Sequence, residues 1–219
     1  MSTMSPGMVF RTVVNSSPDL IMALAFLATW IEPNALGSNM QSYFVTIMLL
    51  EFITIHSAAF MAFAIIAGKS KVKKIIRVIG LGIFYSLFIW GFTATQGEMW
   101  PFVAFWLMIL NRIFSVLFGE SNALGKQMVL MVSWGWGVFW YLIAIFFSVL
   151  VPLPVFGWTE EHLKNITGAA SGLWFDSPQS LMAAGFIYFT AVGLFELYSE
   201  KFATKFSMDQ TSSNIQGPK

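Results

Sequence analysis

The sequence lacks cysteine entirely and has only two histidines, His56 and His162, among its 219 residues. The absence of cysteine excludes disulfide bonds, thiolate metal sites and cysteine nucleophiles. Two histidines leave little material for metal catalysis, and the sequence contains neither a Gly-x-Ser-x-Gly motif nor a phosphate-binding loop. We therefore expect a protein that is not an enzyme, holds no metal and needs no cofactor.

Charged residues are scarce as well, at 11% of the chain, whereas soluble domains have about 25%. Apolar residues make up 57%, and aromatic residues 17%, which suits a lipid-facing surface with interfacial anchors. The net charge of +1 offers no basic face for a nucleic acid. This composition predicts an integral membrane protein whose main partner is the lipid bilayer, with other membrane subunits or a homo-oligomer as further possible partners.

Six hydrophobic segments are long enough, or nearly long enough, to cross a bilayer, which takes about 20 apolar residues per helix. They cover residues 17–31, 41–68, 74–96, 99–119, 127–151 and 178–200. The first is short for a full crossing and starts at Ser17-Pro18-Asp19, where Pro18 is expected at the first helical position. The first ten residues contain no Lys or Arg, so we do not expect a cleavable signal peptide.

The predicted fold is therefore an all-α, polytopic bundle of six transmembrane helices. Residues 1–16 form a cytoplasmic N-terminal segment, residues 17–206 the transmembrane domain, and residues 207–219 a polar C-terminal tail. An extended outer loop at 152–177 contains Thr159–Lys164, which predicts a short capped helix. A lid or docking surface and an inert hairpin, with Trp158 at the membrane–water boundary, are both compatible with this loop.

The placement of basic residues gives the orientation, because short cytoplasmic loops retain lysine and arginine. With the N-terminus inside, ten of the twelve basic residues fall on the inner side, and only Lys164 falls outside. Both termini are therefore expected in the cytoplasm. The main inner cluster is Lys69, Lys71, Lys73, Lys74 and Arg77. We interpret it as a topology determinant, and the alternative is an anchor for anionic lipid headgroups.

Polar residues inside apolar segments are costly, so they usually mark a pairing or a function. Glu51 in the second segment lies roughly 15 Å from the outer end of its helix, at a rise of about 1.5 Å per residue. Arg112 in the fourth segment lies at a comparable depth, roughly 20 Å. We predict that Glu51 and Arg112 pair, assisted by Asn111. The pair either positions two helices or forms part of a conducting path.

A polar stripe on the second segment accompanies Glu51. At about 100° per residue, Thr54 and Ser57 fall within the same arc of the helix as Glu51. Such a stripe meets a neighbouring helix closely and offers it hydrogen bonds. In a transporter, these two hydroxyls would line the path together with Glu51, Asn111 and Arg112.

His56 lies on another face of the second segment, bracketed by Phe52, Phe60 and Phe63. A neutral imidazole in such surroundings is able to ligate the metal of a haem or a chlorophyll. A bis-histidine haem site needs a second intramembrane histidine, however, and His162 falls in the outer loop. The simpler alternative is a buried histidine that hydrogen-bonds to a neighbouring helix.

Trp134 and Trp136 in the fifth segment, with glycines between and after them, form a possible wall for a flat apolar ligand. Helix packing and interfacial anchoring explain the same residues.

Three functions remain open from the sequence. The first is a non-catalytic accessory or scaffolding subunit of a membrane assembly. The second is a small solute transporter or proton-linked carrier with Glu51 and Arg112 in the path. The third is a pigment- or haem-binding protein that uses His56.

Overall fold

The computed structural model describes residues 6–38, 40–68, 70–118, 124–159 and 172–215, and every regular element in these ranges is a helix. The helices are α1 (Pro6–Ile31), α2 (Met40–Ile66), α3 (Lys71–Gln96), α4 (Trp100–Phe118), α5 (Leu124–Leu150), α6 (Leu173–Asp176) and α7 (Pro178–Ile215). The protein is thus all-helical in its described part.

Four of these helices are long and apolar enough to cross a membrane. Their candidate spans are Thr12–Ile31 in α1, Met40–Ile66 in α2, Met131–Leu150 in α5 and Pro178–Tyr198 in α7. In α4 the apolar stretch Trp100–Phe114 is shorter, and α3 carries four basic residues in its first seven positions. The four apolar helices indicate a membrane-embedded protein.

The first helix starts earlier than its sequence predicts. It begins at Pro6 rather than at Ser17, and Pro18 lies inside it. Proline has no backbone N–H, so Pro18 leaves the carbonyl of Val14 without its usual donor. The hydroxyl of Ser17 donates to that carbonyl at 2.9 Å. This replacement bond explains how the helix continues through the proline, and the 20-residue span Thr12–Ile31 is no longer short.

The last helix also exceeds its predicted length. It runs to Ile215, beyond the boundary expected at residue 206, so most of the polar tail is helical. No glycine or proline interrupts the sequence between Gly193 and Gly217. The backbone therefore meets no strong helix breaker after it leaves the apolar part.

The chain divides into two compact units. One contains residues 1–41 and 124–219, and the other contains residues 42–123. In the second unit, α2, α3 and α4 share a core whose buried members are Ile53, Met61, Val78, Tyr85, Ile89, Phe105 and Ile109. Trp106 of α4 donates its indole N–H to the hydroxyl of Ser86 on α3 at 3.0 Å, which ties these two helices together.

In the first unit, α1 and α7 pack closely because α7 presents glycine at the contact. Gly185 lies directly against the ring of Phe26, where a Cβ would overlap that ring. Phe26 is fully buried and stacks on Phe189 with ring centroids 5.6 Å apart. Helix α5 joins the same unit through Tyr141, whose ring meets Tyr188 edge-on at 5.4 Å.

Candidate functional sites

Two carboxyl side chains from different helices come together between α1 and α7. A Cβ at Gly193 would lie 2.9 Å from Leu20 and 3.3 Å from the Cβ of Asp19, so the helices approach very closely there. Glu196 follows Gly193 by one helical turn and interacts electrostatically with Asp19. Both carboxyl side chains are half-buried and lie within candidate spans. Neighbouring acidic groups inside membrane helices are able to take part in proton transfer or to contact a cation.

Sequence reasoning missed this pair. It treated Asp19 as part of a helix-entry signal and did not single out Glu196. The start of α1 at Pro6 moves Asp19 into the interior of a helix. The available signal was that both acids fall in apolar segments, but only packing reveals that they lie near each other.

The polar stripe of α2 is partly occupied by bonds within the helix. Ser57 is fully buried and donates its hydroxyl to the carbonyl of Thr54 at 3.1 Å. Thr46, also fully buried, donates to the carbonyl of Ser42 at 2.9 Å. Glu51 and Thr54 are half-buried. In a path along this face, the hydroxyls of Thr46 and Ser57 would already donate to carbonyls of their own helix.

Arg112 lies half-buried in the same unit as Glu51, whereas Asn111 is exposed. The Nε of Arg112 is buried and finds no hydrogen-bond acceptor among the described residues. A buried guanidinium nitrogen without an acceptor costs free energy of folding. A nearby anionic group would remove that cost. The pairing of Arg112 with Glu51 stays a prediction.

His56 is exposed on α2 instead of being buried against a neighbouring helix. Its ring lies between Phe52, at a centroid distance of 4.8 Å, and Phe60, at 6.4 Å. Phe63, on the same face, is 72% exposed. Among the described residues, no hydrogen bond is made by the imidazole. The expected bond from His56 to a neighbouring helix is therefore not found within the unit that contains α2.

The two tryptophans of α5 have different surroundings. Trp136 donates its indole N–H to the carbonyl of Ala191 on α7 at 3.1 Å and stacks on Phe195 at 5.1 Å. Trp134 is 42% exposed. Trp136 therefore packs in the contact between α5 and α7. Of the two rings expected to form a ligand-binding wall, Trp134 is the exposed one.

Part of the basic cluster caps helices. The ammonium of Lys71 donates to the carbonyl of Leu117 at the end of α4 at 2.9 Å. A guanidinium nitrogen of Arg77 donates to the carbonyl of Ala64 near the end of α2 at 3.4 Å. Cations stabilise the carbonyl-rich ends of helices, so these residues have a structural role in addition to any effect on topology. Lys73 is exposed and Lys74 half-buried, and Lys69 lies outside the described residues.

The segment that follows α5 is anchored to α1 by two tryptophans. Trp30 donates its indole N–H to the carbonyl of Pro154 at 2.9 Å, and Trp158 donates to the carbonyl of Thr29 at 3.1 Å. Trp158 is 1% exposed, so it is a core residue and not the interfacial anchor that its loop position suggested. The short helix predicted at residues 159–164 extends outside the described residues.

The chain matches no protein family, no curated protein and no solved structure.

Proposed function

We propose that this protein is a six-span integral membrane protein that acts, without catalysis, as an accessory or scaffolding subunit of a membrane assembly. The observation that carries the proposal is the bare surface of its apolar helices. Only 24% of the candidate span of α1, 22% of that of α2 and 17% of that of α5 is buried within the protein. Lipid or another membrane subunit has to cover the remaining apolar surface.

The six-span arrangement and the inner position of both termini draw support from the contacts of the basic cluster. The bonds from Lys71 to Leu117 and from Arg77 to Ala64 join the start of α3 to the ends of α2 and α4. Such contacts favour alternating helix directions, with the basic cluster at one end of the unit. Helices of 26 and 19 residues, α3 and α4, measure about 39 and 28 Å at 1.5 Å per residue, which suits additional spans.

Cysteine labelling tests this topology, because the natural chain has no cysteine to interfere. Ser38→Cys lies in the connection between α1 and α2, and Lys73→Cys lies in the basic cluster. We expect a membrane-impermeant maleimide to label Ser38→Cys on intact cells and Lys73→Cys only after permeabilisation. Labelling of Lys73→Cys from outside would contradict the proposed orientation.

The accessory role is tested by the mass of the protein when it is extracted from its native membrane in mild detergent. We expect a complex heavier than any homo-oligomer, with a second membrane subunit in fixed stoichiometry. Tagging that subunit should recover this chain in return. A protein that migrates at the mass of one or two copies of this chain, with no stoichiometric companion, would refute the accessory role.

A proton-linked carrier is the second candidate, and the proximity of the carboxyl side chains of Asp19 and Glu196 favours it. Acidic residues inside membrane helices commonly belong to proton relays and ion paths. In this proposal the two carboxyl groups change protonation during transport. The residues expected from the sequence to line a path belong to the other unit, namely Glu51, Thr54, Ser57, Asn111 and Arg112.

Reconstitution in liposomes with an internal pH-sensitive dye tests the carrier. We expect Asp19→Asn and Glu196→Gln to fold normally and to abolish a proton flux seen with the natural chain. Glu98→Gln is the matched control, since Glu98 is an exposed carboxylate between α3 and α4. Equal flux in all variants, or none with the natural chain at any imposed gradient, would refute this function.

A further inference from the structure

One end of the unit formed by α2, α3 and α4 carries a concentration of positive charge. We call it the basic end, because α3 begins there with Lys71, Lys73, Lys74 and Arg77. The acidic residues in the described part of this unit are Glu51 and Glu98. Glu98 follows the opposite end of α3, where it accepts a hydrogen bond from Tyr43 at 3.4 Å. Glu51 lies 13 positions along α2 from Ala64, the residue that binds Arg77, which is about 20 Å at 1.5 Å per residue.

Arg112 of α4 lies at nearly the same level of the unit as Arg77. Ile109 of α4 comes within 3.5 Å of a Cβ placed at Gly82 of α3, and Lys71 binds the last turn of α4. The two helices therefore run antiparallel between these contacts. Arg112 is three residues beyond Ile109 in the direction of the basic end. Arg77 is five residues from Gly82 in the same direction, so the two levels differ by about 3 Å.

Arg112 also continues the buried face of α4. At about 100° per residue, it falls within about 60° of Phe105 and Ile109, which are 1% and 0% exposed. Its Nε is buried and has no hydrogen-bond acceptor among the described residues. Arg77 is exposed, and one of its five N–H groups is used in the bond to the carbonyl of Ala64. Both guanidinium groups therefore have N–H donors to offer to an anion.

We propose that Arg77 and Arg112 bind the phosphate group of an anionic phospholipid. Two guanidinium groups at one level of a small unit repel each other, and an anion between them replaces that repulsion with two attractions. Guanidinium binds phosphate through two parallel N–H···O bonds, which a lysine does not provide. Lys74 is half-buried three residues before Arg77 on the same side of α3, and it adds a third positive charge.

The position of Arg112 favours a lipid over a soluble phosphate ion. It lies within the apolar stretch Trp100–Phe114 of α4, so its side chain starts beside hydrocarbon and extends toward the headgroups. Exposed apolar side chains lie beside both arginines, with Ile76 at 63% and Phe114 at 56% exposure. A phospholipid supplies acyl chains for this surface as well as a phosphate for the guanidinium groups. Anionic lipids are concentrated in the cytoplasmic leaflet, where the basic end is proposed to lie.

The inference rests on the proposal that α3 and α4 cross the membrane with the basic end inside, and it goes further by naming a ligand and its binding residues. Loss of hydrogen bonds to a charged group should weaken binding of an anionic phospholipid about 10- to 100-fold in Arg112→Gln. A lysine that only attracts the lipid through its charge near the surface should contribute about 5-fold. This difference separates a built site from general attraction.

Native mass spectrometry of the protein in mild detergent, titrated with phosphatidylglycerol, measures this binding. We expect Arg112→Gln and Arg77→Gln to weaken it far more than the control Lys73→Gln, which removes an exposed charge of the same cluster. Phosphatidylcholine should bind the natural chain more weakly than phosphatidylglycerol does. The proposal is overturned if the two arginine variants bind as the control does, or if the two lipids bind equally well.

Further variants keep the test decisive if Arg112→Gln does not fold, which thermal unfolding in detergent reveals. Arg77 is exposed, so Arg77→Gln then decides alone, and unchanged binding in it would overturn the proposal. Arg112→Lys retains the charge without the planar donors, and we expect it to bind phosphatidylglycerol less tightly than the natural chain. Equal binding by Arg112→Lys would reduce the site to a charge and contradict the phosphate contact.

Two other sources of the anion give distinct results. If inorganic phosphate binds the natural chain as tightly as phosphatidylglycerol, the ligand is the free ion and the lipid assignment is wrong. Glu120 follows α4 in the sequence and lies outside the described residues. Lipid binding that Arg112→Gln leaves unchanged and Glu120→Gln increases would assign the guanidinium to that carboxylate and overturn the proposal.

The labelling of Lys73→Cys separates failure of this inference from failure of the proposed topology. Labelling from outside would refute the topology on which the lipid site rests. Labelling only after permeabilisation, together with phosphatidylglycerol binding that the arginine variants do not weaken, would refute the lipid site alone.

Discussion

Trp158 donates its indole N–H to the backbone carbonyl of Thr29, 129 positions away in the sequence, over 3.1 Å. The acceptor is available because of Pro33. In a helix the carbonyl of residue 29 accepts from the N–H of residue 33, and proline has none. A distant tryptophan therefore completes the end of α1 and fixes the segment that follows α5 to it.

The same arrangement recurs at the start of α7. Pro178 has no N–H for the carbonyl of Trp174, and the amide nitrogen of Gln41 donates to that carbonyl at 3.0 Å. Gln41 is 3% exposed, so the bond is well shielded from solvent. Prolines that open or end helices in this unit are thus matched by side-chain donors from remote segments.

Trp158→Phe should destabilise the protein by about 1–3 kcal/mol, because it leaves a buried carbonyl without a donor while preserving most of the ring. The measurement is the free energy of unfolding in mixed detergent micelles. Trp90→Phe is the control, since Trp90 is 57% exposed. Equal free energies of unfolding for the two variants would show that the bond from Trp158 to Thr29 does not stabilise the protein.

Gly185→Ala should destabilise the contact between α1 and α7 by about 1–3 kcal/mol, the usual effect of overpacking. The reason is that a methyl group at this position overlaps the ring of Phe26. Gly135→Ala in α5 meets no atom within 4 Å and should be neutral or stabilising by up to about 1 kcal/mol. Adding Phe26→Leu should relieve part of the cost of Gly185→Ala, and simple additivity of the two changes would contradict this account.

Lys71→Met should lower the stability of the second unit by about 0.3–1 kcal/mol, because it removes the cation that caps α4 at Leu117. Lys73→Met is a matched control, since it removes the same charge from an exposed neighbour. Thermal unfolding in detergent compares the two variants, and protease protection verifies that both keep the natural topology. If the two variants unfolded at the same temperature, the hydrogen bond from Lys71 to Leu117 would add nothing to stability beyond the charge.

Glu51→Gln and Arg112→Leu test the predicted ion pair through a double-mutant cycle. If the two side chains pair in an apolar setting, each single change should destabilise by about 3–5 kcal/mol, because it strands the other charge. The double variant should cost less than the sum of the singles. Free energies of unfolding measured for all four proteins decide the matter, and strict additivity would exclude the pair.

The helical, membrane-embedded character followed from local properties of the sequence. Long apolar segments with few charges are stable as helices in lipid. The candidate spans of α5 and α7 fall within the segments expected for them, and that of α2 begins one residue before its segment. The predicted positions of helix ends were less accurate. Pro18 resembled a start signal, and only the bond from Ser17 to Val14 explains why the helix passes through it.

The chemistry of the amino acids determined that polar residues in apolar helices would be few and prominent, and the sequence alone pointed to His56, Glu51 and Arg112. Tertiary structure decided which groups meet. Asp19 and Glu196 are 177 positions apart, and the close approach at Gly193 brings them together. Trp158 is buried in the core, where its indole N–H donates to the carbonyl of Thr29. Such pairings depend on which helices pack and in what register, and no local pattern encodes that geometry.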